Sequence, residues 1–309
     1  MRGSRLAALV LLSAACGSGA GDGGTGSTTV PATTTVPATT TVPATTSEAD
    51  GAGDLSVPDL AVGPLPAELD DWEPYADRHI DVFGIHVVAF PRVSERAFTH
   101  GAGVLAQYLD NDADGYADDE RVVQAMTDER AVLVMPYDEE DLESSGILES
   151  GLEEAYGAQL LFDVETAPTG GFDAALEEVH HLVFDYGWAS VHPERLAPEG
   201  PSDLTTAMDL ARGGRFEKVP GTYPAGAWYH YDDRTCGYDC MATEYFYWSH
   251  TTILGGQGDP DRCADIAEEW EPCTPERLAA VDPMVTAMLQ DPDLGLPTVP
   301  PDGGYRPRS

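Results

Sequence analysis

Residues 17 to 54 cannot contribute to a hydrophobic core, and this limits what the rest of the chain can fold into. The stretch is dominated by Gly, Ser, Thr, Pro and Ala, and the hexapeptide Val-Pro-Ala-Thr-Thr-Thr repeats within it from Val30 and from Val36, then begins again at Val42. Such a tract stays extended and solvated, rising about 3.1 Å per residue where it is polyproline-like. Ahead of it, Arg2 and Arg5 precede an apolar run from Leu6 to Leu12 that ends in Ser13-Ala14-Ala15-Cys16. This is a signal-peptide pattern, too short to span a bilayer as a mature helix. The expected organisation is a signal peptide over 1–15, a stalk over 16–54 and one folded region over 55–309, with the mature protein outside the cytoplasm.

The segment Leu12 to Cys16 resembles the bacterial lipoprotein signal. That resemblance implies lipidation of Cys16, a membrane partner reached through a lipid anchor, and a place at the cell surface or in the periplasm; ordinary secretion is the alternative. The folded region, about 250 residues, is long enough for a sizeable core. With 54 acidic against 16 basic residues the chain carries a net charge of −38, so a phosphate backbone is excluded as a partner. Four cysteines remain beyond Cys16: Cys236, Cys240, Cys263 and Cys273. An even count outside the cytoplasm reads as two disulfides, with three pairings open. A four-thiolate zinc site is the rival, but its paired Cys-x-x-Cys spacing is missing.

Periodicity gives the order of elements. Ile80 to Phe90 alternates and is rich in Val, Ile and Phe, which predicts a strand. Ser94 is placed to cap a helix over Glu95 to Leu109, and a short helix near Asp119 to Met126 leads to a buried strand at Ala131 to Met135. A further strand is expected over Ala158 to Thr166, closed by Pro168-Thr169-Gly170-Gly171. Helices follow at Phe172 to Val183, Ser202 to Arg212, Met241 to Leu254 and Thr274 to Gln290, the last with Thr274 as cap and Pro275 in its first turn. The expected class is α+β: a mixed-sheet lobe, then a mostly helical lobe stapled by disulfides.

Between the first two helices, Asp110-Asn111-Asp112-Ala113-Asp114-Gly115-Tyr116-Ala117-Asp118 sets carboxylates at loop positions 1, 3, 5 and 9 and glycine at 6. Alternate carboxylates converge on one point, glycine permits the sharp turn, and the Tyr116 carbonyl stands at position 7, as an oxygen-seeking cation needs. The segment 110–121 resembles EF-hand and related calcium loops, which implies calcium bound by Asp110, Asp112, Asp114, Tyr116 and Asp118. Arg121 holds the position of the usual bidentate glutamate, so Asp119 or Glu120 is the candidate replacement.

The helix Phe172 to Val183 reads FDAALEEVHHLV. Residues four apart on a helix lie about 40° from each other around the axis, so Glu177 and His181 face one point, with Glu178 beside them. Phe172, Leu176, Val179, Val183 and Tyr186 form a separate apolar stripe. The element order, with Glu177-Glu178-Val179-His180-His181 and Ala242-Thr243-Glu244-Tyr245-Phe246, resembles the zincin metallopeptidases of gluzincin type over roughly Ile80 to Leu254. The resemblance implies His181 and Glu244 as zinc ligands, Glu178 as general base and a peptide or protein substrate; Glu177 stands where the family has its first histidine. One histidine with two glutamates would leave zinc neutral and a weaker Lewis acid, and would admit manganese, magnesium or calcium as the divalent cation. Tyr229-His230-Tyr231 offers His230 and Tyr231 as donors to a transition state. Two functions follow as expectations: a surface-anchored, calcium-binding lipoprotein with a metal-dependent hydrolase site, or a non-catalytic calcium-binding envelope protein on the same scaffold.

Overall fold

The expected strand from Ile80 to Phe90 is a hairpin. In the computed structural model, which describes residues 60–167 and 172–308, β1 (Arg78–Val82) turns back at Phe83 and Gly84 into β2 (Ile85–Ala89). Both turn residues have positive φ, 55° and 84°, the geometry whose twist matches that of the flanking strands. Glycine adopts it freely. Phe83 bears a left-handed cost of roughly 1–2 kcal/mol, offset by burial of its ring. Val82 pairs directly with Ile85, so the apolar alternation slips by one across the turn while both residues stay in the core. The signal peptide, Cys16, the stalk and Pro168 to Gly171 lie outside the described residues.

β3 (Ala131–Met135) and β4 (Gly157–Leu160) complete a four-stranded sheet of order β1-β2-β3-β4, antiparallel between the first two strands and parallel beyond. Both later strands are buried throughout, as parallel strands covered on two faces must be. β4 stops well short of Thr166, because Asp163 turns aside: its carboxylate accepts from the Ser94 amide at 2.7 Å and the Ser94 hydroxyl at 2.6 Å. The same serine caps α1 (Glu95–Leu109) by accepting from the Ala97 N–H.

α2 (Glu120–Asp128) is capped by Asp119, and α3 (Glu139–Ser145) and α4 (Leu152–Ala155) fill the crossover from β3 to β4. After β4 come α5 (Ala175–Val183), a π-helical segment at Phe184–Trp188, α6 (Ala189–Val191), α7 (Pro193–Leu196) and α8 (Asp203–Ala211), whose Ser202 and Thr205 form a reciprocal capping box. α9 (Tyr238–Ile253) is buried along most of its length. α10 (Pro260–Asp265), α11 (Pro275–Val281) and α12 (Pro283–Leu289) complete the helical half. The single helix expected over Thr274 to Gln290 is two, because Pro283 drives Asp282 out of the helical region to φ −130°, ψ 68°. Asp282 then caps α12 through the Val285 N–H.

The cysteines pair as Cys236–Cys240 and Cys263–Cys273, which settles the pairing and removes the four-thiolate reading. The first bridge pins the first turn of α9; the second ties α10 to the segment entering α11. α5 packs on β3, β4, α1 and α9, so it lies where the sheet half meets the helical half. No helix among the described residues is long and apolar enough to cross a membrane.

Candidate metal centre

α5 is held in place at its start and along its buried side. At its start the Asp173 carboxylate accepts from the amides of Ala167 and Ala175 and pairs with His100 Nε2 of α1 at 2.6 Å. Along its buried side Ala175, Val179, Leu182 and Val183 enter the core, while Phe172, Leu176 and Tyr186 pack partly buried against it. The remaining face turns Glu177 and His181 toward α9. That helix is buried along most of its length, polar residues included, and it carries Glu244 inward with it.

One ligand atom from each of Glu177, His181 and Glu244 lies within 4.8 Å of the other two. His181 Nε2 stands 3.6 Å from Glu244 Oε2, both residues are buried, and neither of these two atoms has a hydrogen-bond partner. Glu178 takes a different place. Its Oε2 lies 3.8 Å from His181 Nδ1 and accepts from Gln159 Nε2 of β4 at 2.5 Å, so it faces the edge of the ring turned away from Glu244.

The electrostatics follow from three carboxyl groups gathered around one imidazole. Burial pulls His181 toward the neutral form, but the charges of Glu244, Glu178 and Glu177 outweigh it and raise its pKa to about 10. Burial lifts Glu177 to about 7, opposed by His181, and holds Glu244 well above the usual carboxylate range despite His181. Glu269, in the loop after α10, is pushed up to about 8 by burial and by Glu177; its Oε1 accepts from Trp248 Nε1 at 3.2 Å. No local motif marks Glu269 in the sequence. Tyr247 has a signal that was open to reading: it follows Glu244 by three on the same helical face, feels the charge of Glu177 and sets its ring 5.6 Å from that of His181.

His180 points away from the cluster into the aromatic core. With His250 Nε2 donating to the Pro297 carbonyl at 3.0 Å, His250 Nδ1 accepts from His180 Nε2 at 3.1 Å. Burial lowers His250 to about 4 and His180 well below the ordinary range, so both rings are neutral. Of the two expected donors, Tyr231 is buried with an unpartnered hydroxyl and feels the charges of Glu244 and Glu177. The His230 ring instead lies 5.3 Å from that of Tyr223.

The acidic loop joins α1 to α2 as expected. One oxygen each of Asp110, Asp112 and Asp118 converges within 4.8 Å. Buried Asp110 accepts from the Asp114 and Gly115 amides and from the Tyr305 hydroxyl at 2.5 Å. Asp114 Oδ1 accepts from the Tyr116 amide, and Asp114 is not part of the converging group. Asp119 is engaged by Arg121 through three contacts of 2.6 to 3.0 Å, which occupies it as a replacement ligand; Glu120 is exposed. Burial and the charges of Asp110, Asp112 and Asp114 raise the Asp118 pKa against the Asn111 amide. No protein-family model matches the chain, and no curated protein or solved structure matches it.

Proposed function

We propose that residues 55–309 are a surface-anchored, metal-dependent hydrolase of zincin-like architecture, acting on a peptide or protein and stabilised by calcium in the Asp110 to Asp118 loop. The observation that carries this reading is the pair of buried, unpartnered atoms, His181 Nε2 and Glu244 Oε2, 3.6 Å apart. Buried polar atoms are almost always hydrogen-bonded, and two ligands at about 2.0–2.1 Å on one tetrahedral ion stand roughly 3.4 Å apart. The residues therefore fit a divalent cation, zinc or a harder ion, held by Glu177, His181 and Glu244. Such a cation supplies Lewis acidity for the attack of water on a carbonyl. The unpartnered Tyr231 hydroxyl, which feels the charges of Glu244 and Glu177, would be the donor to a developing oxyanion.

The position of Glu178 favours the second reading, a non-catalytic binding protein on the same scaffold. A general base must reach water on the Nε2 side of His181, whereas Glu178 faces Nδ1, the place of a carboxylate that orients a metal-binding ring. Glu178→Gln separates the two. In a hydrolase whose base is Glu178 the variant should keep its metal and lose roughly 10²–10⁴-fold in peptide cleavage, whereas a Glu178 that only orients the His181 ring should on substitution weaken metal binding roughly 10–100-fold. A parent protein that carries metal and cleaves no peptide would leave the binding protein as the correct account.

The anchor belongs to the same proposal and rests on Leu12 to Cys16 and the tract behind them. Produced in a bacterium, the full chain should partition into the detergent phase, and Cys16→Ala should release it to the aqueous phase. Partitioning that survives the substitution would require a different attachment.

A further inference from the structure

We propose that the β1–β2 hairpin carries a second metal site, for a borderline divalent cation such as zinc or copper, built from His79, Asp81 and His86. The hairpin register sets Asp81 directly opposite His86, and His79, two residues before Asp81, shares its face of the strand. One ligand atom from each of the three lies within 4.8 Å of the others. His79 Nε2 and His86 Nδ1 are 3.0 Å apart; two imidazoles on one zinc at about 2.0–2.1 Å stand roughly 3.4 Å apart, so a small opening of the pair admits an ion. Asp81 Oδ1 accepts from the Gly84 amide at 3.1 Å, which ties the carboxylate to the turn. Asp81 is exposed and both histidines partly so, leaving the site open to solvent.

The donor set selects the cation. Two imidazoles and one carboxylate suit zinc, copper and nickel, whereas calcium and magnesium favour oxygen-only cages. The negative charge of Glu68 acts on both rings and favours a cation there. Arg130 opposes it near His86 but is engaged by the Tyr156 hydroxyl and ring. An ion held here would staple the two strands at the edge of the sheet, where the outer side of β1 is met by an isolated bridge between Gly63 and His79. The site shares no element with the Glu177, His181 and Glu244 cluster of α5 and α9, so it stands or falls independently of that centre.

Equilibrium dialysis of the full chain against zinc, with calcium in excess to fill the acidic loop, tests the proposal. The parent should bind one zinc equivalent more than His86→Asn, and Asp81→Asn should weaken that equivalent by at least the roughly 10–100-fold that loss of an outer partner costs. His181→Asn should keep the hairpin equivalent, which separates this site from the buried one. Copper(II) added to the parent gives a readout that needs no variant: its electron paramagnetic resonance should show coupling to two imidazole nitrogens, where the buried cluster offers one. Equal zinc binding by the parent and His86→Asn, or copper coupled to a single nitrogen, would show a hydrogen-bonded histidine pair only and overturn the proposal.

Discussion

His181→Ala should strip the divalent metal from the purified protein and, with chelator present, should also be markedly less stable than the parent. The first effect follows from ligand number: Glu177 and Glu244 alone leave an ion with no nitrogen donor. The second follows from charge. Without a cation, His181 is itself the cation of the site, held protonated by Glu244, Glu178 and Glu177 against its own burial. Removing it leaves Glu244 buried and facing other acids; breaking a buried pair from one side costs about 3–5 kcal/mol. Protonation of Glu244, whose pKa is already raised by burial, places the cost toward the lower end of that span. Glu244→Gln preserves volume and removes the charge, so it should also lose metal with a smaller loss of stability. Elemental analysis and chelator-treated urea melts of the two variants check the order. Parent-like metal content in His181→Ala would place the bound ion elsewhere, and a larger destabilisation in Glu244→Gln would refute the charge argument.

What could be read from the sequence was local or spaced by helical geometry. Ser94, Ser202 and Thr274 announce helix starts because a capping side chain acts within a few residues of itself, and the three helices begin there. Glu177 and His181 were legible for the same reason, being one turn apart on one helix. Glu244 came through the zincin resemblance, and its meeting with the other two depends on how α9 crosses α5, which no local pattern encodes. The hairpin was missed because Val82 and Ile85 both remain buried across a turn that reverses the chain. With it went His79, Asp81 and His86, whose meeting exists only in that register. The chain end was harder still. Thr298 to Arg308 shows no periodicity, yet the Thr298 and Val299 amides donate to Asn111 Oδ1, the Asp302 and Gly303 amides to Gln107, and the Arg308 amide to the Ala113 carbonyl. Gly303 lies so close to Gly103 of α1 that a side chain on Gly103 would strike its carbonyl. A segment with its hydrogen-bond partners so far back in sequence leaves no pattern of its own.

That strap bears on the expected response to calcium. The parent chain should melt higher with calcium than with chelator: at a concentration one hundredfold above its dissociation constant, calcium adds about 2.7 kcal/mol, a shift of roughly 5–10 °C for a domain of this size. Choosing the substitution matters, because the loop's carboxylates have different tasks. Asp110 is buried and holds two loop amides and the Tyr305 hydroxyl, so replacing it would unravel loop and strap whether or not an ion binds. Asp112 is exposed, and its one hydrogen bond among the described residues is to the Asp114 amide at 3.0 Å, an amide that Asp110 also accepts. Asp112→Ala should therefore leave the chelator melt nearly unchanged and abolish most of the calcium-dependent rise. Tyr305→Phe provides the contrast, because it removes a hydrogen bond to a charged, buried acceptor, an interaction of about 1.5–3 kcal/mol, and should lower the melt in chelator as well. Coincident melts of the parent in calcium and in chelator would end the calcium reading of the loop. Retention of the full rise in Asp112→Ala would move the ion to another site.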